Sequence, residues 1–496
     1  LEIFFGKSPA QGIFGGRRKT SVEEEHETKK NDIMNYDVIV IGSGPGGYVA
    51  AIRAAQLGMK TGVIERENLG GICLNWGCIP TKSLLKSAQA YEYAKHAADY
   101  GVSIQGEVKP DFKAMIKRSR DVAEGMSKGV RFLLKKNKID VIAGTGVLAG
   151  KNTVEVTRAD GVKKNYTAKN MILATGARSK ELPNLKQDGK KVIGYRDAMT
   201  LPEQPASMVV VGSGAIGSEF AYFYQSLGTK VTLVEFLPAI VPNEDEEVSK
   251  ALERAFKKKG MDVLTSSSVE SVDSSGDLCK VTVSTKKGEQ VVEAETVLSA
   301  VGITPNTEHI GLEGLGVETE QGKINVDEFY RTNVEGVYAI GDIVRGPALA
   351  HVASAEGIVC VEKIAGLHPQ PVDYQNIPGC TYTGPEVASV GLTEKKAKEA
   401  GYDLKVGKFP YAASGKASAS GEKDGFVKLL FDAKYGELLG AHLIGSNVTE
   451  MIAELVVARK LEITGHELIK SIHPHPTMSE AVMEAAAAAY EEVIHL

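Results

Sequence analysis

From Tyr36 the chain runs through an apolar stretch (Val38 to Ile41), a glycine-rich turn, a segment of helical spacing that ends at Gly58, and a second apolar stretch that ends at Glu65. This alternation predicts a strand, a helix and a parallel strand. Laid over residues 207–235 at a constant offset of 170, residues 37–65 match at ten of 29 positions, so the chain carries the βαβ unit twice. Between the copies, the spacing predicts a helix pair from about Ser83 to Lys136 and strands over Val141 to Val147 and Met171 to Ala174. After the second copy come strand-like runs at Met261 to Leu264, Lys280 to Ser284, Thr296 to Ala300 and Gly336 to Ile340. From Ile377 the glycine-rich pattern stops. Strands at Glu386 to Gly391 and Phe426 to Phe431 then precede helices and an alanine-rich tail, an α+β domain of different purpose.

Residues 1–34 show no periodic face. They carry a basic triplet (Arg17, Arg18, Lys19) and an acidic run (Glu23, Glu24, Glu25). The acidic run argues against an organelle transit peptide, and the segment reads as an upstream extension, disordered or left over from expression, with Met34 as the natural start.

A length of 496 residues allows three or four domains. Lys and Arg number 58 against 63 Asp and Glu, a net charge of −5, which offers no broad basic field for a nucleic-acid backbone. The longest uncharged apolar-leaning stretch, Val38 to Ile52, falls short of the roughly 18 residues that span a bilayer, so no membrane partner is expected. Five cysteines are too few for a disulfide-stapled secreted scaffold. A reducing compartment is expected instead, a cytoplasm or alternatively a mitochondrial matrix. Cys279, Cys360 and Cys380 stand alone as small buried residues, whereas Cys73 and Cys78 form a close pair.

The Gly-Ser-Gly-Pro-Gly-Gly turn follows a strand and opens a helix. In that context Gly42 makes the tight turn, Gly44 admits a pyrophosphate to the backbone, and Gly47 lets helix and strand pack closely. Glu65, at the end of the second strand, is placed to accept hydrogen bonds from ribose hydroxyls. Gly212, Gly214, Gly217 and Glu235 repeat every element. A carboxylate at 235 would repel a ribose 2′-phosphate, and no arginine lies between Phe236 and Val241, so NAD is favoured over NADP. Two dinucleotide sites in one chain suggest electron transfer between two cofactors, FAD and NAD.

On one ideal helix Cys73 and Cys78 would lie about 8.7 Å apart, beyond the reach of about 7 Å that a disulfide tolerates. The backbone must bend if they pair, and Gly77 gives it the freedom, with Pro80 suited to the start of a following helix. Zinc is poorly supported, because no histidine sits at ligand spacing nearby, and no metal is expected. A helix N-terminus and Lys82, one turn on, would lower a thiol pKa, which places Cys78 as a thiolate against a flavin. Near the C-terminus, His473-Pro-His475-Pro is held extended by its prolines. Dithiol exchange needs a base of near-neutral pKa. His475 fits that role, with Glu480 to fix its tautomer and stabilise its cation.

With both βαβ units, the Cys-x4-Cys segment and the His-Pro turn in this order, residues 35–496 resemble the pyridine nucleotide-disulfide oxidoreductases, and among them most closely the members that oxidise dihydrolipoamide. The resemblance extends to Val337 to Asp342 as a second FAD fingerprint, with Asp342 on the ribitol. It also covers Leu173 to Gly176, which includes Thr175 and Gly176, the turn glycine Gly302, and the flavin-contacting helix start from Ala350 to Gly357. It implies that Cys73 meets the substrate sulfur, that Cys78 contacts the isoalloxazine, and that Lys82 pairs with Glu219 near the flavin. It further implies a homodimer in which His475 serves the other subunit, and lipoyl-bearing subunits of 2-oxo acid dehydrogenase or glycine-cleavage complexes as partners.

The expected fold class is α/β, two Rossmann-like dinucleotide-binding domains plus a C-terminal α+β dimerisation domain. Residues 35–182 and 308–375 would form the FAD domain, 183–307 the NAD domain and 376–496 the dimerisation domain. Glu235 stands where glutathione reductases use basic residues, and no cysteine lies near the C-terminus as in mercuric and large thioredoxin reductases. Alternatives on the same scaffold are a glutathione-type or mercuric-type reductase, or a flavin-bound redox sensor without turnover. Trp76, between the paired cysteines, stands where a smaller residue is expected in many relatives.

Overall fold

The computed structural model describes residues 35–496; the extension read over residues 1–34 lies outside the described residues. β1 (Asn35–Ile41), α1 (Pro45–Gln56) and β2 (Thr61–Glu65) form the first βαβ unit. Helices α2 (Gly71–Trp76), α3 (Cys78–Lys95) and α4 (Phe112–Lys136) follow, then β3 (Asp140–Ala143), β4 (Thr145–Gly150), β5 (Thr153–Thr157) and β6 (Lys163–Leu173). The strands lie in the order β3-β2-β1-β6-β5-β4, parallel from β3 to β6. Val38, Ile39 and Val40 are fully buried, as expected of a parallel strand covered on both faces. The single strand expected over Val141 to Val147 is two strands. Gly144, at φ +145°, breaks the run, and β4 leaves to pair antiparallel with β5.

β7 (Ala177–Ser179) carries the chain into a second domain, built from β8 (Val192–Ile193), α5 (Tyr195–Ala198), β9 (Ser207–Val211), α6 (Ala215–Ser226), β10 (Lys230–Val234), α7 (Glu246–Lys258) and β11 (Asp262–Leu264). An antiparallel sheet of β12 (Ser268–Asp273), β13 (Cys279–Thr285) and β14 (Gly288–Ala294) precedes β15 (Thr296–Ser299). The parallel order is β11-β10-β9-β15-β8. β16 (Ile303–Pro305) returns antiparallel beside β7, so the outgoing and incoming chains cross together.

After α8 (Leu312–Leu315) and the hairpin of β17 (Thr319–Glu320) and β18 (Lys323–Ile324), β19 (Val337–Ala339) joins the first sheet beside β6. Helix α9 (Ala350–Ile364) then packs along α1. A Cβ on Gly357 would lie 2.8 Å from the Gly46 carbonyl oxygen, so the contact of the two helices requires glycine there. The Glu356 carboxylate, 1% exposed, accepts from the Gly341 amide and the Tyr374 hydroxyl, each at 2.6 Å, and so fixes the turn that presents Asp342.

The last domain contains β20 (Gly379–Thr381), β21 (Glu386–Gly391), α10 (Glu394–Glu399), β22 (Leu404–Pro410), α11 (Gly415–Ser420), β23 (Phe426–Asp432) and β24 (Leu438–Gly445). Helices α12 (Val448–Lys460), α13 (Gly465–Lys470) and α14 (Glu480–Ala489) complete it. Its antiparallel sheet, β20-β21-β24-β23-β22, packs on α12 and α14, while Val387, Phe426 and Ile444 join the core of Phe220 and Phe223 in the second domain. Lys428 of β23, 1% exposed, crosses the same boundary and pairs with Asp245 at 3.0 Å, Glu247 at 2.8 Å and Glu394 at 2.6 Å. Among the described residues no helix is long and apolar enough to cross a membrane.

Removing one partner of a buried ion cluster leaves uncompensated charge. Lys428→Met is therefore expected to destabilise the protein by about 3 kcal/mol in denaturant titration. Burial opposes ionisation of Asp245, but Lys428 and the neighbouring donors win and hold its carboxyl below the usual range. The cluster's contribution is present above the ordinary aspartate pKa and is lost as pH falls through the depressed one, an acid limb that the variant should lack.

Glu356 behaves oppositely: burial pushes its carboxyl from 4.5 up to about 7, against the Tyr374 and Gly341 donors. Stability should then fall as pH rises through that window, by roughly 3 kcal/mol at most. Glu356→Gln should flatten the slope, and an unchanged slope in pH-dependent unfolding would count against the assignment.

Candidate active site

Each phosphate loop is closed by its own backbone. Gly42 and Gly212 sit at φ +103° and +96°, and a Cβ on Gly47 or Gly217 would overlap the carbonyl oxygen of the loop's first glycine. A Cβ on Gly44 or Gly214 would meet nothing within 4 Å. That open position, at the N-terminus of α1 or α6 with no side-chain cap, is where a pyrophosphate can approach the amides. Glu65 Oε2 accepts from Ser43 N (3.0 Å) and Ser43 Oγ (2.6 Å), and Oε1 from Glu67 N (2.8 Å). Glu235 is held identically by Ser213 N (2.8 Å), Ser213 Oγ (2.7 Å) and Leu237 N (2.8 Å). Oε2 of each carboxylate is filled by its two donors, while Oε1 accepts one bond and retains a lone pair for a ribose hydroxyl, so both loops fit a dinucleotide.

The redox segment lies directly on the first loop: a Cβ on Gly71 would come within 2.7 Å of the Gly44 Cα. Helix α2 ends at Trp76, Gly77 takes φ −141° and ψ −115°, and α3 starts at Cys78. The break brings the Cα atoms of Cys73 and Cys78 to 4.8 Å, and the two form a disulfide. Asn75 stiffens the segment by donating to the carbonyls of Leu69 (3.0 Å) and Gly71 (2.9 Å). The other thiols are silent by comparison. Burial raises the pKa of Cys279 and Cys360 and pushes Cys380 up to about 11, leaving little thiolate to compete in exchange.

Lys82, on the first turns of α3, donates to both oxygens of Glu219 at 2.8 Å. Glu219, on α6 and 3% exposed, also accepts from the Tyr382 amide at 3.0 Å, and the Lys82 ammonium stands 4.3 Å from the Tyr382 ring centroid. All three domains thus meet at this pair. Thr175 and Gly176 lie at the crossing of the chains: Thr175 Oγ1 donates to the Asn306 carbonyl at 2.7 Å, and the Gly176 carbonyl accepts from the Asn306 amide at 2.8 Å. Gly302, at φ +112°, opens the returning strand. Asp342 follows β19, where burial raises its carboxyl pKa against the nearby Lys323. Ala350 begins α9 at an N-terminus with no side-chain cap.

His475 lies in the non-helical approach to α14, its side chain 79% exposed. Its Nδ1 bonds Glu480 Oε1 at 2.8 Å, and Glu480 Oε2 accepts from Thr477 N at 2.8 Å. Burial opposes ionisation of Glu480, but the Thr477 amide and His475 prevail and lower its pKa. His473 points elsewhere, to Glu454 at 2.8 Å. Among the described residues no hydrogen bond joins the His475 pair to the cysteine pair of the same chain.

Sequence reasoning missed Ser43 and Ser213, though the repeat overlay aligned them, and missed Tyr382, whose contribution is a backbone amide. It also passed over Glu356, an acid among apolar helix positions.

Two family models match the chain: pyridine nucleotide-disulphide oxidoreductase over residues 36–357, and the dimerisation domain of the same family over residues 377–486. A dihydrolipoyl dehydrogenase of Rhizobium etli is 50% identical over 477 residues, covering 93% of this chain and 99% of its own length. One from Zymomonas mobilis is 49% identical over 465 residues, with 93% and 99% covered. Among solved structures, LpdA from Mycobacterium tuberculosis aligns with a TM-score of 0.85 at 28% identity, covering 92% of this chain and 99% of its own. The HOCl-induced flavoprotein disulfide reductase RclA from Escherichia coli aligns at 0.81 and 25% identity, with 91% and 99% covered. Two dinucleotide loops, a disulfide laid against the first of them and full-length likeness agree: the chain belongs to the pyridine nucleotide-disulphide oxidoreductase family, with FAD and NAD as its cofactors and a homodimer as its unit.

Proposed function

We infer that this chain oxidises protein-bound dihydrolipoamide to lipoamide and reduces NAD, with the Cys73–Cys78 disulfide as first electron acceptor. The observation that carries the reading is that disulfide, held at a helix break beside the first phosphate loop in a chain about half identical, end to end, to dihydrolipoyl dehydrogenases. His475 takes the proton of one substrate thiol. The resulting thiolate attacks Cys73 Sγ, the Cys73–Cys78 bond breaks, and Cys78 departs as a thiolate. The second substrate thiol, deprotonated in turn, attacks the substrate sulfur of the mixed disulfide, releasing Cys73 and closing the lipoamide ring. FAD, when bound, supplies the two-electron relay from dithiol to NAD.

Glu480 stabilises the imidazolium and fixes which nitrogen of His475 faces substrate. The exposure of His475, hydrogen-bonded among the described residues to Glu480 alone, supports its service to the disulfide of the second subunit. Gly42, Gly44, Gly47, Glu65, Thr175, Gly176, Asp342 and Ala350 would hold FAD, with Lys82 paired to Glu219 beside it. Gly212, Gly214, Gly217, Glu235 and Gly302 would hold NAD. Lipoyl-bearing subunits of a 2-oxo acid dehydrogenase or glycine-cleavage complex are the proposed partners, in a reducing compartment, cytoplasm or mitochondrial matrix, that suits three free thiols.

Cys78→Ser should abolish NADH formation from dihydrolipoamide while FAD stays bound, and full turnover would refute the assignment. His475→Gln should lower kcat by about 10²- to 10⁴-fold, the usual worth of a general base. Refolding the two variants together at equal amounts gives a sharper result. If His475 acts across the dimer, activity should return to about a quarter of wild type, since half the dimers carry one intact site of two. No recovery would place the histidine in its own subunit's site.

A further inference from the structure

Trp76, the chain's single tryptophan, lies within the redox segment between the paired cysteines. It is the meeting point of three elements. The guanidinium of Arg120, from α4, stands 4.7 Å from its ring centroid, and that of Arg196, from α5 of the second domain, 5.0 Å. Its indole N–H donates to Glu67 Oε1 at 2.8 Å, and Arg196 grips the same carboxylate with both terminal nitrogens, at 2.9 and 3.1 Å. Arg120 donates to the Asn75 carbonyl at 2.7 Å and reaches the Met199 sulfur at 3.8 Å. Asn75 precedes Trp76, and Met199 follows α5, so both arginines tie the redox segment to the same piece of the second domain. Glu67 and Arg196 also line the cleft of about 490 Å³ that opens between the two domains.

These contacts differ from ordinary surface ion pairs. The fork of Arg196 is bidentate, its partner is fixed by a second donor, and its face is stacked on an aromatic ring, the combination that arginine alone can satisfy. Short α5 runs directly out of edge strand β8, which is hydrogen-bonded to β15 and so to the rest of the second sheet. A displacement of the redox segment is therefore passed to the domain that must present nicotinamide.

We propose that Trp76 is a positioning residue which, with Glu67, Arg120 and Arg196, clamps the second dinucleotide domain against the redox segment and thereby sets the affinity for NAD. The kinetic part of this proposal rests on the function inferred above. The optical part does not, because the one indole reports on the clamp directly.

The test is Arg196→Gln in the FAD-loaded dimer, with Arg196→Lys beside it. Acrylamide quenching of Trp76 emission should rise about twofold in Arg196→Gln. The KM for NAD should rise about fivefold, the worth of one half-exposed stacked ion pair, while the KM for dihydrolipoamide stays within error. Arg196→Lys, which keeps the charge without the fork, should fall between variant and wild type. Trp76→Phe, which keeps a ring and loses the donor, should raise the NAD KM in the same direction. Wild-type quenching together with a wild-type NAD KM in Arg196→Gln would overturn the clamp, as would an equal rise in both KM values. Absence of dihydrolipoamide turnover in the wild type would instead overturn the reaction assignment, and quenching and equilibrium NADH binding would still decide the clamp.

Discussion

The break between α2 and α3 is the constraint on which the rest of the site depends. A continuous helix would hold Cys73 and Cys78 too far apart to join. The residue at the break is glycine, and its backbone lies outside the helical region. Because Gly71, at the other end of α2, has no side chain, the whole segment can rest on the backbone of the first phosphate loop at Gly44. Gly77 thus lets a disulfide form, and Gly71 against Gly44 sets its distance from the dinucleotide site. Neither task can be given to a residue with a Cβ without moving the loop or the helix.

Around that break the molecule solves the same electrostatic problem repeatedly, by matching buried charges with a donor or counter-charge from a different part of the chain. Glu65 and Glu235 are held by the serine that follows the first loop glycine, Glu219 by Lys82 and a backbone amide, and Lys428 by three carboxylates. At Glu356 two uncharged donors satisfy the oxygens, yet burial still raises its pKa, as it does at Asp342. The Lys82 and Lys428 clusters link domains, while Glu65, Glu235 and Glu356 each fix a turn within one.

The legible part of the fold was the part written in local spacing. Glycines at fixed intervals after an apolar strand, with an acid at the end of the next strand, announce a loop whose backbone needs are strict, and their repetition at an offset of 170 residues marks two such domains. What spacing cannot carry is contact between distant residues. Lys82 and Glu219 are 137 residues apart, and only resemblance to a family suggested their pairing. Tyr382 acts through an amide that every residue possesses. Trp76 drew notice as an oddity, but the arginines that stack on it come from helices far away in sequence. The split of the run from Val141 to Val147 was hidden because Gly144 reads as an ordinary small residue until its positive φ is seen.

The central claim is that the Cys73–Cys78 disulfide alone accepts electrons from dithiol substrate and surrenders them to NAD. Counting alkylated cysteines by mass spectrometry on the FAD-loaded protein, anaerobically and after unfolding in the alkylating reagent, tests it most directly. Three thiols should be modified in the oxidised protein, namely Cys279, Cys360 and Cys380, five after dihydrolipoamide, and three again once excess NAD is added and the substrate removed. A count that stays at three with dihydrolipoamide, or that rises to five and does not return with NAD, would contradict the account.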